Sequence, residues 1–329
     1  VLFFPLGDRL VTWSEDGSAI IWDTLSGAAL RRLRHGRAVT SVGVFPKGDL
    51  LATCDAAGRG LIWNTSSGAV VRVLRGRGLR DVEVFPSGNR VLTWGPGAPA
   101  TVWDVATGKS VCSLRHVASD IEVARVFPVG DRVVTSCRGK VVVWSASSCR
   151  VLHEAALALS LRDIAVLEGG DGVATIGADG RVGIWSAASG ASLRRLARPD
   201  RYWLDSFSGF RLVPRGDRVA TFSSSGVVIW NATSGEWLRR LSGDPDLTAG
   251  MSVSPAGDLL ATCGGRQVTI WEASTGARLR KLAEADARPV PGPSCLVAFG
   301  VGGALDPLGF GRGVSWREFP WLAERAGAG

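Results

Sequence analysis

The stretch Pro46-Lys47-Gly48-Asp49-Leu50-Leu51-Ala52-Thr53-Cys54-Asp55-Ala56-Ala57-Gly58-Arg59-Gly60-Leu61-Ile62-Trp63-Asn64-Thr65-Ser66-Ser67-Gly68 decides the fold. It opens on a turn: proline presets φ, glycine tolerates a positive φ, and an aspartate side chain bonds nearby backbone N–H groups. A β-rich run ending near Thr53 follows, then a short polar hairpin, a second run closing on Ile62-Trp63, and a turn glycine five residues further on. The whole reads as strands joined by tight turns.

The same pattern recurs along the chain. An apolar residue precedes Trp22, Trp63, Trp103, Trp144, Trp185, Trp230, Trp271 and, less clearly, Trp316, at spacings of 41, 40, 41, 41, 45, 41 and 45 residues. Nine or ten residues before each of the first seven stands a threonine: Thr12, Thr53, Thr93, Thr135, Thr175, Thr221 and Thr262. The Pro-x-Gly-Asp turn returns at Pro5, Pro128, Pro214 and Pro255, with Asn89 replacing Asp in the third repeat and Gly169-Gly170-Asp171 standing in the fifth. The second turn glycine is Gly27, Gly68, Gly108, Gly190, Gly235 and Gly276, and the fourth repeat has Cys149 there. Each repeat therefore supplies four antiparallel strands in about forty residues, a sheet that buries its faces only by stacking on neighbours.

These repeats resemble those of the WD-repeat family, with Ile21-Trp22-Asp23 and Val102-Trp103-Asp104 matching its signature; Asn64, Ser145, Ser186, Asn231 and Glu272 replace the Asp elsewhere. The resemblance implies an all-β propeller of four-stranded antiparallel blades, and covers seven repeats well and an eighth poorly. The expected organisation is one domain over 1–329, with repeats at about 1–38, 39–78, 79–120, 121–160, 161–206, 207–246, 247–290 and 291–329. In the last, Trp316, Phe299 and Gly302 keep their places while Pro307 takes the Thr position; a degenerate eighth blade is favoured over seven blades with a tail. The family often ties a blade with a hydrogen-bonded Asp, His, Ser/Thr and Trp set. The matching hairpin Asp occurs at Asp16 and Asp179, whereas His35 precedes a repeat whose hairpin has Ala57, so no repeat is expected to hold the complete set. Buried Trp and aliphatic packing should hold the blades, with a Trp N–H to Thr hydroxyl bond contributing about 1 kcal/mol.

Composition bounds the function. The chain has 329 residues, 46% apolar and 21% charged, enough for a large core. No apolar run is long enough for a membrane span and no signal-peptide order is present. It begins at Val1 with Met251 its one methionine, which suggests a fragment of a longer protein. Cys54, Cys112, Cys137, Cys149, Cys263 and Cys295 show no metal-ligand spacing, and free buried thiols in a reducing intracellular compartment, cytoplasmic or nuclear, are the expectation. No metal, cofactor or catalytic constellation emerges: His35, His116 and His153 fall near outer strands, and neither a GxSxG nor an HExxH pattern occurs.

The expected function is non-catalytic recognition of a protein partner, with nucleic-acid or anionic-surface binding as the first alternative and an enzyme on a propeller scaffold as the less favoured one. Net charge is +8, and Arg31, Arg32, Arg72, Arg194, Arg195, Arg239, Arg240, Arg278, Arg280 and Lys281 recur on the outer strands, as guards against edge-to-edge pairing or as a belt for nucleic acid or another anionic surface. Leu30-Arg31-Arg32-Leu33 departs from the Phe-Arg-Arg-Gly motif of phosphoinositide-binding propellers. Two interruptions break the repeat. The first, residues 198–205, carries Arg201, Tyr202, Trp203 and Asp205; these are candidate partner-binding residues, although Trp203 also fits as a cap on a blade junction. The second, residues 283–293, is proline-rich and reads as a spacer or a peptide ligand.

Overall fold

In a computed structural model of the chain, the described residues are 2–76, 78–116, 121–156, 161–167, 169–177, 181–196, 209–213, 218–223, 226–241, 250–254, 257–264, 267–283, 296–299 and 305–308. Among them every regular element is a β-strand, and seven four-stranded antiparallel sheets follow one another in chain order. They occupy residues 2–34, 39–74, 81–114, 123–156, 161–196, 209–241 and 250–283, and are called blades one to seven below. A two-stranded antiparallel pair, Leu296–Phe299 with Leu305–Leu308, comes after them, with Pro307 opposite Val297. Trp316 lies outside the described residues.

Blade two shows how the sequence makes a blade. Its strands are Val39–Val44, Leu50–Asp55, Gly60–Asn64 and Val70–Leu74. The first hairpin closes when Gly48 N–H donates to the Phe45 carbonyl at 2.8 Å, with Gly48 at φ +70°, where a side chain would be strained. Trp63 faces Leu51 across the second hairpin, and a β-bulge between Ile62 and Trp63 shifts the register toward the outer strand. The same bulge occurs at Trp22, Trp103, Trp144, Trp230 and Trp271. A bulge adds twist and re-aims side chains, so each indole turns out of the ladder toward its blade's second strand.

The WD aspartate and its replacements share one task. Asp23, Asn64, Asp104, Ser145, Ser186 and Asn231 each accept a backbone N–H from the turn that follows, for example Ser26 N to Asp23 Oδ1 at 2.7 Å and Ser67 N to Asn64 Oδ1 at 2.8 Å. Any short side chain with an oxygen acceptor does this, which is why the aspartate can vary.

The core lies between neighbouring blades. Phe4, Ile21 and Leu33 of blade one pack with Val42, Leu51 and Trp63 of blade two. Phe45, Ile62 and Leu74 pack with Val82, Val91 and Trp103, and the pattern continues between blades three and four, four and five, and six and seven. The strands group into two compact bodies, Val1–Ala178 with Trp185–Leu193, and Asp179–Ile184 with Arg194–Gly329.

Candidate functional site

The residues proposed above to touch a partner, Arg201, Tyr202, Trp203 and Asp205, lie outside the described residues. The first seven tryptophan anchors and their threonines are inside them, and Trp316 is outside. Each of the seven indoles donates Nε1–H to its paired threonine hydroxyl: Trp22 to Thr12, Trp63 to Thr53, Trp103 to Thr93, Trp144 to Thr135, Trp185 to Thr175, Trp230 to Thr221 and Trp271 to Thr262, at 2.7 to 2.9 Å. Thr53, Thr93, Thr135, Thr175, Thr221 and Thr262 are buried, so these bonds satisfy groups that would otherwise be stranded away from water.

Blade two corrects the expectation that no repeat holds the complete set. Its carboxylate comes from Asp55, two residues ahead of Ala57, at the end of the strand that carries Thr53. His35 Nδ1 stands 3.2 Å from Asp55 Oδ2, His35 Nε2 is hydrogen-bonded to the Thr53 hydroxyl, and Trp63 donates to Thr53. The polarity follows from chemistry. Trp63 can only donate, Thr53 passes its own hydrogen to Nε2 of a neutral imidazole, and Nδ1–H of that imidazole donates to the carboxylate. Both His35 and Asp55 side chains are fully buried. Asp55 also accepts the backbone N–H of Ala57 and Arg59 at 3.0 and 2.9 Å and the Arg59 guanidinium at 2.9 Å. Burial pushes the Asp55 carboxyl up, but these bonds outweigh it and hold the group below the usual carboxylate range. Burial lowers the His35 pKa, against the pull of Asp55.

Blade four holds three members of the set. His116 Nε2 lies 2.7 Å from the Thr135 hydroxyl, which accepts from Trp144. The position matching Asp55 is Cys137. Burial lowers the His116 pKa as well.

The arginines divide by position. On the outer strands, Arg31 Nε donates to the Ser66 carbonyl at 2.7 Å, Arg72 Nε to Ala106 at 2.9 Å, and Arg239 Nε to Ser274 at 2.6 Å. Each acceptor is in the turn of the next blade, so these side chains clasp neighbours together. A second set follows the Pro-x-Gly-Asp turns. Arg9 donates to the Gly48 carbonyl at 3.1 Å, Arg90 pairs with Asp131 at 2.6 Å, and Arg132 donates to the Gly170 carbonyl at 2.7 Å. Arg9 and Arg132 also lie over Phe4 and Phe127, 4.4 and 4.5 Å from the ring centres. Arg32 and Arg240 remain exposed on the outer face, as does Arg278; the side chains of Arg194, Arg195, Arg280 and Lys281 lie outside the described residues.

The cysteine expectation also needs correction. Cys112 and Cys149 form a disulfide across 37 residues, while Cys54 and Cys137 are buried thiols. The partners come from different blades, so their spacing along the chain gives no hint of the pairing. No helix among the described residues is long and apolar enough to cross a membrane.

Among solved structures, the computationally designed Ika8 protein superposes with a TM-score of 0.71 at 21% identity, over 84% of each chain. The β-propeller domain of Cps50 (Swd1) from Myceliophteria thermophila superposes with a TM-score of 0.66 at 19% identity, over 83% of this chain and 96% of that one. The fold is a β-propeller of four-stranded antiparallel blades. At these identities the likeness concerns the propeller architecture alone. Neither a family model nor a curated protein matches the propeller's sequence.

Along the propeller's rim, a groove of about 530 Å³ is lined by Arg72, Arg75 and Lys109 together with Trp103, Thr107 and Ser110. Exposed apolar side chains, among them Val73, Val111, Leu152, Trp237 and Leu238, interrupt the charge along the same outer strands.

Proposed function

We propose that this propeller is a non-catalytic interaction scaffold that presents blade-connecting loops to a protein partner. The reading rests on where its reactive side chains are used. His35 and His116 are bound inside their own blades, and six arginines hold one blade to the next. A side chain locked in such a network does not present itself to substrate. Recognition then belongs to the connections, where Arg201, Tyr202, Trp203 and Asp205 interrupt the repeat with the aromatic and guanidinium groups that anchor interfaces. The test is affinity capture with mass spectrometry, comparing wild type with a folded Tyr202→Ala/Trp203→Ala variant at low and high salt. A protein partner that survives salt and is lost in the variant supports the scaffold and its site; binding that the variant retains removes the site.

A second reading has its own observation. The groove beside Arg72, Arg75 and Lys109 joins cations to Trp103 and two hydroxyl side chains, a composition suited to a phosphate-bearing partner. Captured nucleic acid that salt releases equally from wild type and variant favours this alternative.

A further inference from the structure

Among the described residues the outer-strand arginine clasp is made in blades one, two and six. Arg31, Arg72 and Arg239 stand opposite Ile21, Ile62 and Ile229 in their ladders, at the bulge beside the tryptophan. Each reaches the turn glycine of the next blade. A Cβ placed on Gly108 would lie 3.1 Å from Arg72 Cδ, and one on Gly276 would lie 3.5 Å from Arg239 Cδ.

In blade three the clasp position is Cys112, opposite Val102 as Arg72 is opposite Ile62. In blade four the turn-glycine position is Cys149. Its backbone keeps the glycine conformation at φ 58°, and its N–H donates to Ser145 at 3.0 Å, as Gly108 donates to Asp104 at 2.8 Å. A side chain is disfavoured in that conformation. The two departures from the repeat, in consecutive blades, meet at one seam with their Cα atoms 5.5 Å apart.

We propose that Cys112 and Cys149 are a thiol-exchange site, a covalent clasp standing in for the arginine clasp and opened by low-molecular-weight thiols. Cys112 is 3% exposed and Cys149 is half-buried in a turn whose neighbours Ser147 and Ser148 are exposed, so attack falls on Cys149. A thiolate bonds to Cys149 Sγ, the protein S–S bond breaks, and Cys112 leaves as a thiolate that takes a proton. A second thiol then displaces Cys149 from the mixed disulfide. Overall two small thiols are oxidised to one disulfide and the protein disulfide is reduced to two thiols. Cys54 is fully buried, and burial pushes its thiol well up, so it stays outside the exchange. The opened seam keeps its apolar core, including Leu114, Ala124 and Val142, but has neither the bond nor an arginine at that position.

The experiment uses the full chain oxidised with glutathione disulfide. A non-reducing peptide map should contain the Cys112–Cys149 linked peptide, and dithiothreitol should remove it and lower Tm by about 5 °C. Cys112→Ser/Cys149→Ser should melt with the reduced wild type, with or without thiol. Cys112→Arg/Cys149→Gly, which introduces the clasp made by Arg31, Arg72 and Arg239, should melt above that serine variant and ignore thiol. Absence of the linked peptide after oxidation overturns the proposal without any variant, and so does a wild-type Tm that thiol moves no further than it moves the serine variant.

Discussion

Blades two and four carry the same line of histidine, threonine and tryptophan, yet blade two ends it on Asp55 and blade four has Cys137 at that place. The carboxylate changes what the line does. In blade two it gathers His35, the backbone of Ala57 and Arg59, and the Arg59 guanidinium, so the inner hairpin, the preceding connection and the tryptophan strand share one network. In blade four the line joins His116 to its own blade's second and third strands. A fully satisfied buried network stiffens its surroundings, and losing one member strands the others.

Breaking the network at its most connected atom should have the largest effect. Asp55→Ala leaves the imidazole N–H and two backbone N–H groups without their acceptor, and should cost about 3 kcal/mol of unfolding free energy. Denaturant titration of the variant checks this, and a loss below that of any blade-four variant would equalise the two blades. Thr135→Val removes the shared oxygen of the shorter line, leaving the Trp144 N–H unpaired, and should cost about 1 to 2 kcal/mol in the same titration.

Acid should sharpen the contrast by a smaller amount. Burial lowers the pKa of His35 and His116 below the ordinary value of about 6.5, so between that value and the folded one the unfolded chain binds more protons. Stability from the neutral imidazoles is therefore complete above about pH 6.5 and is lost as pH falls through the folded values. Asp55, held low, keeps its contribution until pH falls below the ordinary carboxylate range. Melting curves from pH 7.5 to 5 should show Tm declining in wild type and declining less in His35→Gln, whose side chain has no proton to gain.

The tryptophan ladder, its threonine partners and both turn glycines are legible because each is a local solution repeated six or seven times. Asp55 was missed because the expected aspartate sits next to the hairpin glycine, whereas here an acceptor two residues earlier reaches the same imidazole. The disulfide was missed because spacing along one chain says nothing about residues on adjacent blades. A signal existed: Cys112 falls where other outer strands have arginine, and Cys149 where other turns have glycine. The arginines were read as a belt facing outward, since sequence places them on the outer strand but not the direction in which a long side chain lies. The acceptors Ser66, Ala106 and Ser274 belong to the next blade, and only the packed structure brings them within reach. The loop at 198–205 stands out because it breaks the repeat, and its role rests on the capture experiment.

The account turns on arginine serving to join blades, with recognition left to the loops. Arg72 and Arg75 allow the most direct test, because they stand three residues apart at the same groove while the Arg72 guanidinium donates to the Ala106 and Val71 carbonyls and Arg75 is exposed. Unfolding free energies of Arg72→Gln and Arg75→Gln should differ by about 1 to 2 kcal/mol, with Arg75→Gln close to wild type. Equal stability of the two variants would contradict the account and return the arginines to the surface belt.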